Sequence, residues 1–386
     1  MLRTLIISGL FSITLIACGG GGGGGSSASV NNLPQLDLPA VKGNLGVGLV
    51  TETIIDTDRN NRSLDIEIWY PVDEIDYMAD PVALYNLGLA TLESEVAGDS
   101  LPVSQKLNRN LIVFSHGSGG FSSQAYEMME VLASQGFILV APGHLGNRAL
   151  DFVPDSQDVI VANRAGDMSF VIDHMIRRSN TSGDMFEGRV SAQNVGATGH
   201  SFGGVTALGT AVGFGPVAAD PRIAAVMPVA GAFAVSAAPI TEAQYKSLSI
   251  PALLLGGTSD TTVDIKNNRD AFAAIDNSPV YNVEIIGAGH EHFTFACDLD
   301  DLLSSGDSIT YEILDGLGNG VADRLRAVAA NTCTDDVFPI EEALRIQNVY
   351  GVAFFKKYLQ NDDSFDDYLT VRYAGLNEKD VTFEEK

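Results

Sequence analysis

The chain has 386 residues, 45% of them hydrophobic and 19% charged, a globular composition with too few long apolar runs for a protein that crosses a membrane many times. Its 49 acidic and 23 basic residues leave a net charge of −26, which argues against nucleic acid as a partner and against docking on anionic lipid by charge. The reacting end of a substrate is therefore expected to be neutral.

The chain begins as a targeting segment. Met1-Leu2-Arg3 gives a positive start, and Leu5 to Ile16 is an apolar run too short to span a bilayer comfortably. It ends in Leu15-Ile16-Ala17-Cys18, which resembles the lipobox of bacterial lipoproteins, where the cysteine becomes the lipidated first residue. Seven glycines (Gly19 to Gly25) and a serine-rich stretch follow as a flexible tether. The expected organisation is a signal peptide with lipobox over residues 1–18, a tether over 19–40 and one catalytic domain over 41–386. The protein is then expected to be exported and moored to a bacterial membrane through a lipid on Cys18. Lipidating Cys18 leaves two cysteines, and an oxidising compartment would let Cys297 and Cys333 join.

Leu45 to Thr53 and Leu64 to Tyr70 are β-rich runs around the polar turn DTDRNNRS, and they predict a hairpin. Asp56, Asp58, Asn60 and Glu67 also mimic a calcium loop, but its sixth position is Asn61 rather than Gly and Glu67 falls inside a strand, so the turn explains the spacing better. Short apolar runs of buried-strand type follow at Asn110 to Ser115, Phe137 to Ala141, Val195 to Thr198, Ile223 to Val229, Ala252 to Leu255 and Val280 to Ile286. Helix-period segments lie between them at Tyr126 to Ser134, Ala162 to Arg177, Phe202 to Val212 and Lys266 to Ile275. A long amphipathic helix, Ile340 to Leu359, closes the domain ahead of a polar tail. Alternating strand and helix predicts an α/β fold with a mostly parallel central sheet, an N-terminal antiparallel hairpin and helices on both faces. Segments 72–106 and 296–336 read as irregular insertions that can shape a lid or an acyl pocket.

In such a sheet, functional residues collect beyond the carboxyl ends of the strands. Four strand ends deliver, in turn, His116-Gly117-Ser118-Gly119-Gly120, then Gly199-His200-Ser201-Phe202-Gly203, then Gly256-Gly257-Thr258-Ser259-Asp260, then Gly287-Ala288-Gly289-His290. A serine hydroxyl is a poor nucleophile without a base, and a base needs a group to orient it. Ser201, His290 and Asp260 fit those three roles. The glycines around Ser201 permit a strained turn that exposes the side chain at the start of a helix. A developing oxyanion needs backbone N–H donors. Phe202 can supply one and the glycine loop another, from Ser118 or Gly119. A serine in this place can also be no more than a helix N-cap. His292 competes with His290, and Asp264 with Asp260. His290-x-His292 with Asp298 and Asp300 is too loosely spaced for a metal site.

On these motifs the chain resembles an α/β-hydrolase. Within that superfamily it is similar to the serine esterases of the platelet-activating-factor-acetylhydrolase and dienelactone-hydrolase-like family. The matching stretches are LDIEIWYP (Leu64 to Pro71), VFSHGSGG (Val113 to Gly120), LASQGFILVAPGHLGN (Leu132 to Asn147), NRAGDMSFVIDHM (Asn163 to Met175), GHSFGG, DPRIAAVMPVAG (Asp220 to Gly231) and GAGHEHFTFAC (Gly287 to Cys297). The resemblance implies hydrolysis of a small-molecule or lipid carboxylic ester through an acyl-enzyme, without a cofactor. The dienelactone hydrolases proper use a cysteine where this chain has Ser201. A binding lipoprotein on the same fold, or a peptidase, thioesterase or polyesterase with the same machinery, are the alternative readings.

Overall fold

The computed structural model describes residues 42–73, 82–87, 90–106, 110–149, 151, 157–232, 240–306, 309–316 and 320–386. The targeting segment, Cys18 and the tether lie outside the described residues. In chain order the strands are β1 (Gly46–Asp56), β2 (Arg62–Val72), β3 (Val82–Asn86), β4 (Thr91–Asp99), β5 (Leu111–Ser115), β6 (Ile138–Gly143), β7 (Val195–His200), β8 (Ile223–Val229), β9 (Ala252–Gly257), β10 (Val280–Ile285) and β11 (Val381–Glu385). The helices are α1 (Tyr126–Ser134), α2 (Gln157–Ser179), α3 (Phe202–Val212), α4 (Glu242–Ser247), α5 (Lys266–Ala274), α6 (Ala296–Ser305), α7 (Tyr311–Gly316), α8 (Val321–Thr332), α9 (Ile340–Gln360) and α10 (Val371–Asn377).

All the strands join one sheet in the order β11-β10-β9-β8-β7-β5-β6-β2-β1-β4-β3. The run from β10 through β6 is parallel throughout. β2 joins β6 antiparallel, and β1 pairs with β2 antiparallel, from Gly46 opposite Val72 to Asp56 opposite Arg62. Strands β5, β6, β7, β9 and β10 are buried at every residue, the pattern of strands covered on both faces. Val113, Val140, Ala197 and Val226 share a cluster with Met168 and Val171 of α2 and Val205 and Leu208 of α3. Gly196, whose neighbours in β7 point into that cluster, faces the other way. A Cβ there would meet Leu359 and Phe355 of α9 at 2.9 Å. The α/β class and the mostly parallel sheet are thus as the alternation of runs implies.

The connectivity makes the site. From β5 the chain crosses to β6 on one side. From β7 it proceeds through β8, β9 and β10 on the other. The loops after β5 and β7 therefore diverge, and a crevice opens between them at the carboxyl edge of the sheet.

Three regions differ from expectation. Segment 72–106 carries β3 and β4, which extend the sheet beyond β1. Their apolar residues are too sparse to read as strands, with Glu93 and Glu95 among the residues of β4. Segment 296–336 holds α6, α7 and α8, which enclose a small separate cluster of Leu303, Ile309, Leu314 and Ala322. The polar tail ends in β11, an edge strand antiparallel to β10. A disulfide joins Cys297 in α6 to Cys333, the residue after α8, across a sequence separation of 36. Its Cα–Cα distance of 5.5 Å is ordinary for such a bridge.

Candidate active site

Ser201 sits between β7 and α3 with φ of 55° and ψ of −123°, a backbone region that costs a residue with a Cβ. The turn holds because its surroundings leave no alternative. Ser201 donates its N–H to the Val229 carbonyl at 2.9 Å and receives the Gly204 N–H on its own carbonyl at 2.9 Å. Glycine is needed beside it. A Cβ on Gly203 would fall 1.8 Å from the Ser115 carbonyl oxygen, and one on Gly204 would fall 2.8 Å from Gly231 Cα. The side chain is thus pushed out at the crevice.

His290 and Asp260 reach the same place from the ends of β10 and β9. His290 Nε2 lies 2.9 Å from Ser201 Oγ, and His290 Nδ1 lies 2.7 Å from Asp260 Oδ2. Burial would raise Asp260, but the hydrogen bond from His290 and the N–H groups of Val263 and Thr262 hold it below the usual carboxylate range. Those two N–H groups meet Oδ1 at 2.7 Å each, so the carboxylate cannot rotate. An ionised Asp260 only accepts, which places a proton on His290 Nδ1 and, in a neutral ring, leaves Nε2 to accept from the serine hydroxyl.

The competing residues have other partners. His292 lies 2.8 Å from the Phe338 carbonyl through Nε2 and receives the Gly289 N–H on Nδ1. Asp264 accepts the Lys266 N–H at the start of α5. Asp56 accepts the N–H groups of Asp58 and Arg59 within the β1–β2 turn, while Glu67 stands in β2 opposite Thr51. Asp298 bonds the Tyr126 hydroxyl at 2.7 Å, and Asp300 bonds the hydroxyl of Tyr311. Among the described residues, no group of three or more His, Cys, Asp or Glu side chains is arranged to hold a metal ion.

Of the expected N–H donors, Phe202 is the first residue of α3, and the first N–H of a helix has no acceptor within that helix. The two loop candidates separate. Gly119 donates its N–H to the Asn147 carbonyl at 3.0 Å, so it is engaged. That leaves Ser118 as the loop's candidate donor.

Several further residues build the site's frame. Gln124 accepts the Gly117 N–H at 2.7 Å through Oε1 and meets His200 Nδ1 at 3.2 Å through Nε2. His200 Nε2 then lies 2.8 Å from the His290 carbonyl. Burial, with His290 nearby, pushes His200 down to about 4, so it is neutral and passes one hydrogen bond along this chain. Beneath the glycine loop lies the fully buried Arg164. It donates to Asn147 Oδ1 at 2.5 Å, to Ser115 Oγ at 3.0 Å, to Thr206 Oγ1 at 3.2 Å and to the His116 carbonyl, and it stacks under Phe202 at 4.9 Å. Burial lowers it to about 9, which leaves it a cation at neutral pH. Ser115 Oγ meets His144 Nε2 at 2.9 Å and His144 Nδ1 meets Asp167 at 2.9 Å. Burial would raise Asp167, yet Arg62 and His144 hold it at about 2.

One cavity borders the glycine loop and another borders His290. The first, of about 440 Å³, starts at Ser118 and Gly119 and is lined mostly by aliphatic side chains, with Arg324 among them. The other, of about 560 Å³, lies beside His290 and is more polar, with Ser259, Glu291, Asn331 and Asp336. A third, of about 600 Å³, runs behind Gly120 along β1 and β2. No helix among the described residues is long and apolar enough to cross a membrane.

No protein-family model matches the chain, and comparison with curated proteins finds no match.

Proposed function

We infer that this chain is a serine hydrolase of the α/β-hydrolase fold that cleaves carboxylic esters, akin to the platelet-activating-factor-acetylhydrolase and dienelactone-hydrolase-like esterases, and that it works from a lipid anchor on Cys18. One observation carries the reading: Asp260, His290 and Ser201 are joined by hydrogen bonds of 2.7 and 2.9 Å at the carboxyl ends of three parallel strands. The strained Ser201 backbone supports it, since strain of this kind persists where the side chain must be presented. A helix N-cap alone would not need it, and Ser201 makes no capping hydrogen bond to α3 through its side chain.

The reaction is acyl transfer in two halves. His290 Nε2 takes the Ser201 proton as Oγ attacks the ester carbonyl, forming the new C–O bond and moving the carbonyl electron pair onto oxygen. The N–H groups of Phe202 and Ser118 hold that oxyanion. Collapse expels the alcohol, which takes the proton from His290. Water then attacks the acyl-enzyme, giving its proton to His290, and as this second intermediate collapses Ser201 Oγ leaves, taking that proton back from His290, and the acid is freed. Asp260 fixes the imidazole and stabilises its charged form throughout. Nothing but water is required.

A fluorophosphonate probe tests the assignment. The full-length protein should gain one covalent adduct on Ser201, and Ser201→Ala should gain none. Labelling that survives in the variant, or no labelling of a folded wild type, would place the chain among binding proteins on this fold.

A further inference from the structure

The cavity beside His290 has a lining that ester chemistry alone does not require. Ser259, Thr261 and Thr262, on either side of Asp260, bring hydroxyls to it, and α8 and the segment after it bring Asn331 and Asp336. Among the described residues the three hydroxyls have no hydrogen-bond partner. Asn331 donates through Nδ2 to the Ala327 carbonyl at 2.7 Å, which leaves its amide oxygen to accept from a ligand. The charged groups on the lining are the carboxylates of Glu291 and Asp336, and no lysine or arginine is among the described residues there. His292 is neutral, because burial lowers it. The outer wall is fixed at two points. Cys333 is bonded to Cys297, and the Phe338 carbonyl lies 2.8 Å from His292 Nε2. The Phe338 ring packs on Gly287, where a Cβ would come 3.4 Å from it, and it is only half-buried.

The occupant must match hydroxyls, an amide oxygen, two carboxylates and one open aromatic face. Carboxylates only accept hydrogen bonds and hydroxyls also donate them, so a ligand dense in hydroxyl groups satisfies the whole lining. The C–H face of a sugar ring suits the electron-rich face of Phe338. The volume of about 560 Å³ lies within the range that small-molecule sites use. At roughly 30 Å³ for each non-hydrogen atom, it takes about eighteen of them, enough for one sugar ring of about twelve and part of a second. Of Ser201, His290 and Asp260, it is His290 that lines the cavity, and His290 hands its proton to the departing alcohol. The alcohol part of the substrate therefore lies on this side. The geometry points to a carbohydrate subsite beside His290: the leaving alcohol is a neutral sugar, whose hydroxyls pair with Thr262, Asn331, Glu291 and Asp336 and whose C–H face lies on Phe338. Its role in holding the leaving group rests on the hydrolase reading above; the sugar site does not.

Amide NMR of the full-length protein, titrated with the disaccharide cellobiose, tests the site without using catalysis. The amides of Ser259, Thr262 and Asn331 should shift with cellobiose and stay in place with tetramethylammonium chloride at the same concentration. A response to tetramethylammonium as strong as to cellobiose would overturn the proposal, because the carboxylates would then serve a cation. So would no response to either probe. Hydrolysis of methyl 6-O-acetyl-glucoside is assayed in parallel against cyclohexylmethyl acetate, which keeps the ring and lacks the hydroxyls. Wild type should favour the sugar ester in kcat/KM by roughly tenfold or more. Asn331→Leu and Asp336→Leu, each shown folded by circular dichroism, should lower that ratio roughly two- to tenfold apiece. A wild-type ratio of one or less, or a ratio that both folded variants keep, would overturn the leaving-group assignment. Absence of turnover on both esters counts against the hydrolase reading, and the amide shifts still decide the sugar site.

Discussion

Replacing both bridging cysteines, as Cys297→Ala with Cys333→Ala, should release one layer of the molecule and leave the rest intact. The disulfide closes a loop of 36 residues by sequence separation, and loop-closure entropy then gives a stabilisation of roughly 4 kcal/mol at 25 °C. The cluster it encloses has three large buried side chains, Leu303, Ile309 and Leu314, which contribute on the order of 1.5–3 kcal/mol each. The covalent link is therefore comparable with a large part of the packing that orders α6 to α8. These helices make their main contacts with one another, whereas the central strands contact their sheet neighbours and α2, α3 and α9. Hydrogen exchange followed by mass spectrometry reads the difference by segment. Protection across residues 299–332 should fall by up to about three powers of ten, the equivalent of that free energy. Protection in β5, β7 and β9 should hold. A uniform loss over the whole chain, or no loss in that segment, would refute the view that this layer depends on its staple.

Other consequences can be checked singly. Glu67 is buried, with one carboxylate oxygen lacking a partner, and burial raises it from 4.5 to about 8 against a weaker opposing bond from Ser122. Between those values the unfolded chain releases the proton and the folded chain keeps it. Stability present below 4.5 is therefore lost as pH rises to about 8, by roughly 5 kcal/mol. Thermal melts of wild type and Glu67→Gln should diverge across that window, and parallel curves would contradict the raised value. Arg164→Met leaves the His116 carbonyl, Asn147 and Ser115 without their buried donor. It should cost about 3 kcal/mol or more in chemical denaturation and lower kcat more than it raises KM. Gly203→Ala drives a Cβ into the Ser115 carbonyl at 1.8 Å and should destabilise by more than about 3 kcal/mol or prevent folding, seen in the soluble yield and melting temperature. Asp260→Asn should lower kcat by roughly three to four powers of ten with little change in melting temperature.

The legible part of the fold is the part where local pattern and burial coincide. β5 (LIVFS) and β9 (ALLLGG) read as strands on unbroken apolar runs, and β7 (VGATGH) and β10 (VYNVEI) on short runs rich in small, β-branched and aromatic residues, so the loops beyond them could be placed. That is why Ser201, Asp260 and His290, up to 89 positions apart, could be brought together before their distances were known. β4 and β11 escaped because each is only partly covered and carries acidic residues. The helices of 296–336 escaped because dense acidic residues obscure the spacing of Leu299, Leu303 and Leu325. The frame of the site was the least legible. Arg164 meets its acceptors 17 to 49 positions away, and Gln124 meets His200 76 positions away. No local periodicity marks such pairs. The engagement of Gly119 with the Asn147 carbonyl likewise depends on how the loop after β6 folds back, which the glycine pattern does not encode.

The most direct test of the central claim is steady-state turnover of p-nitrophenyl butyrate by the full-length protein beside Ser201→Ala. The account predicts saturable hydrolysis by the wild type and a loss of roughly four powers of ten or more in kcat/KM for the variant, with both proteins equally folded. Equal rates in the two would contradict it, because the hydrogen-bonded line through Asp260 and His290 would then end on a serine that does no chemistry.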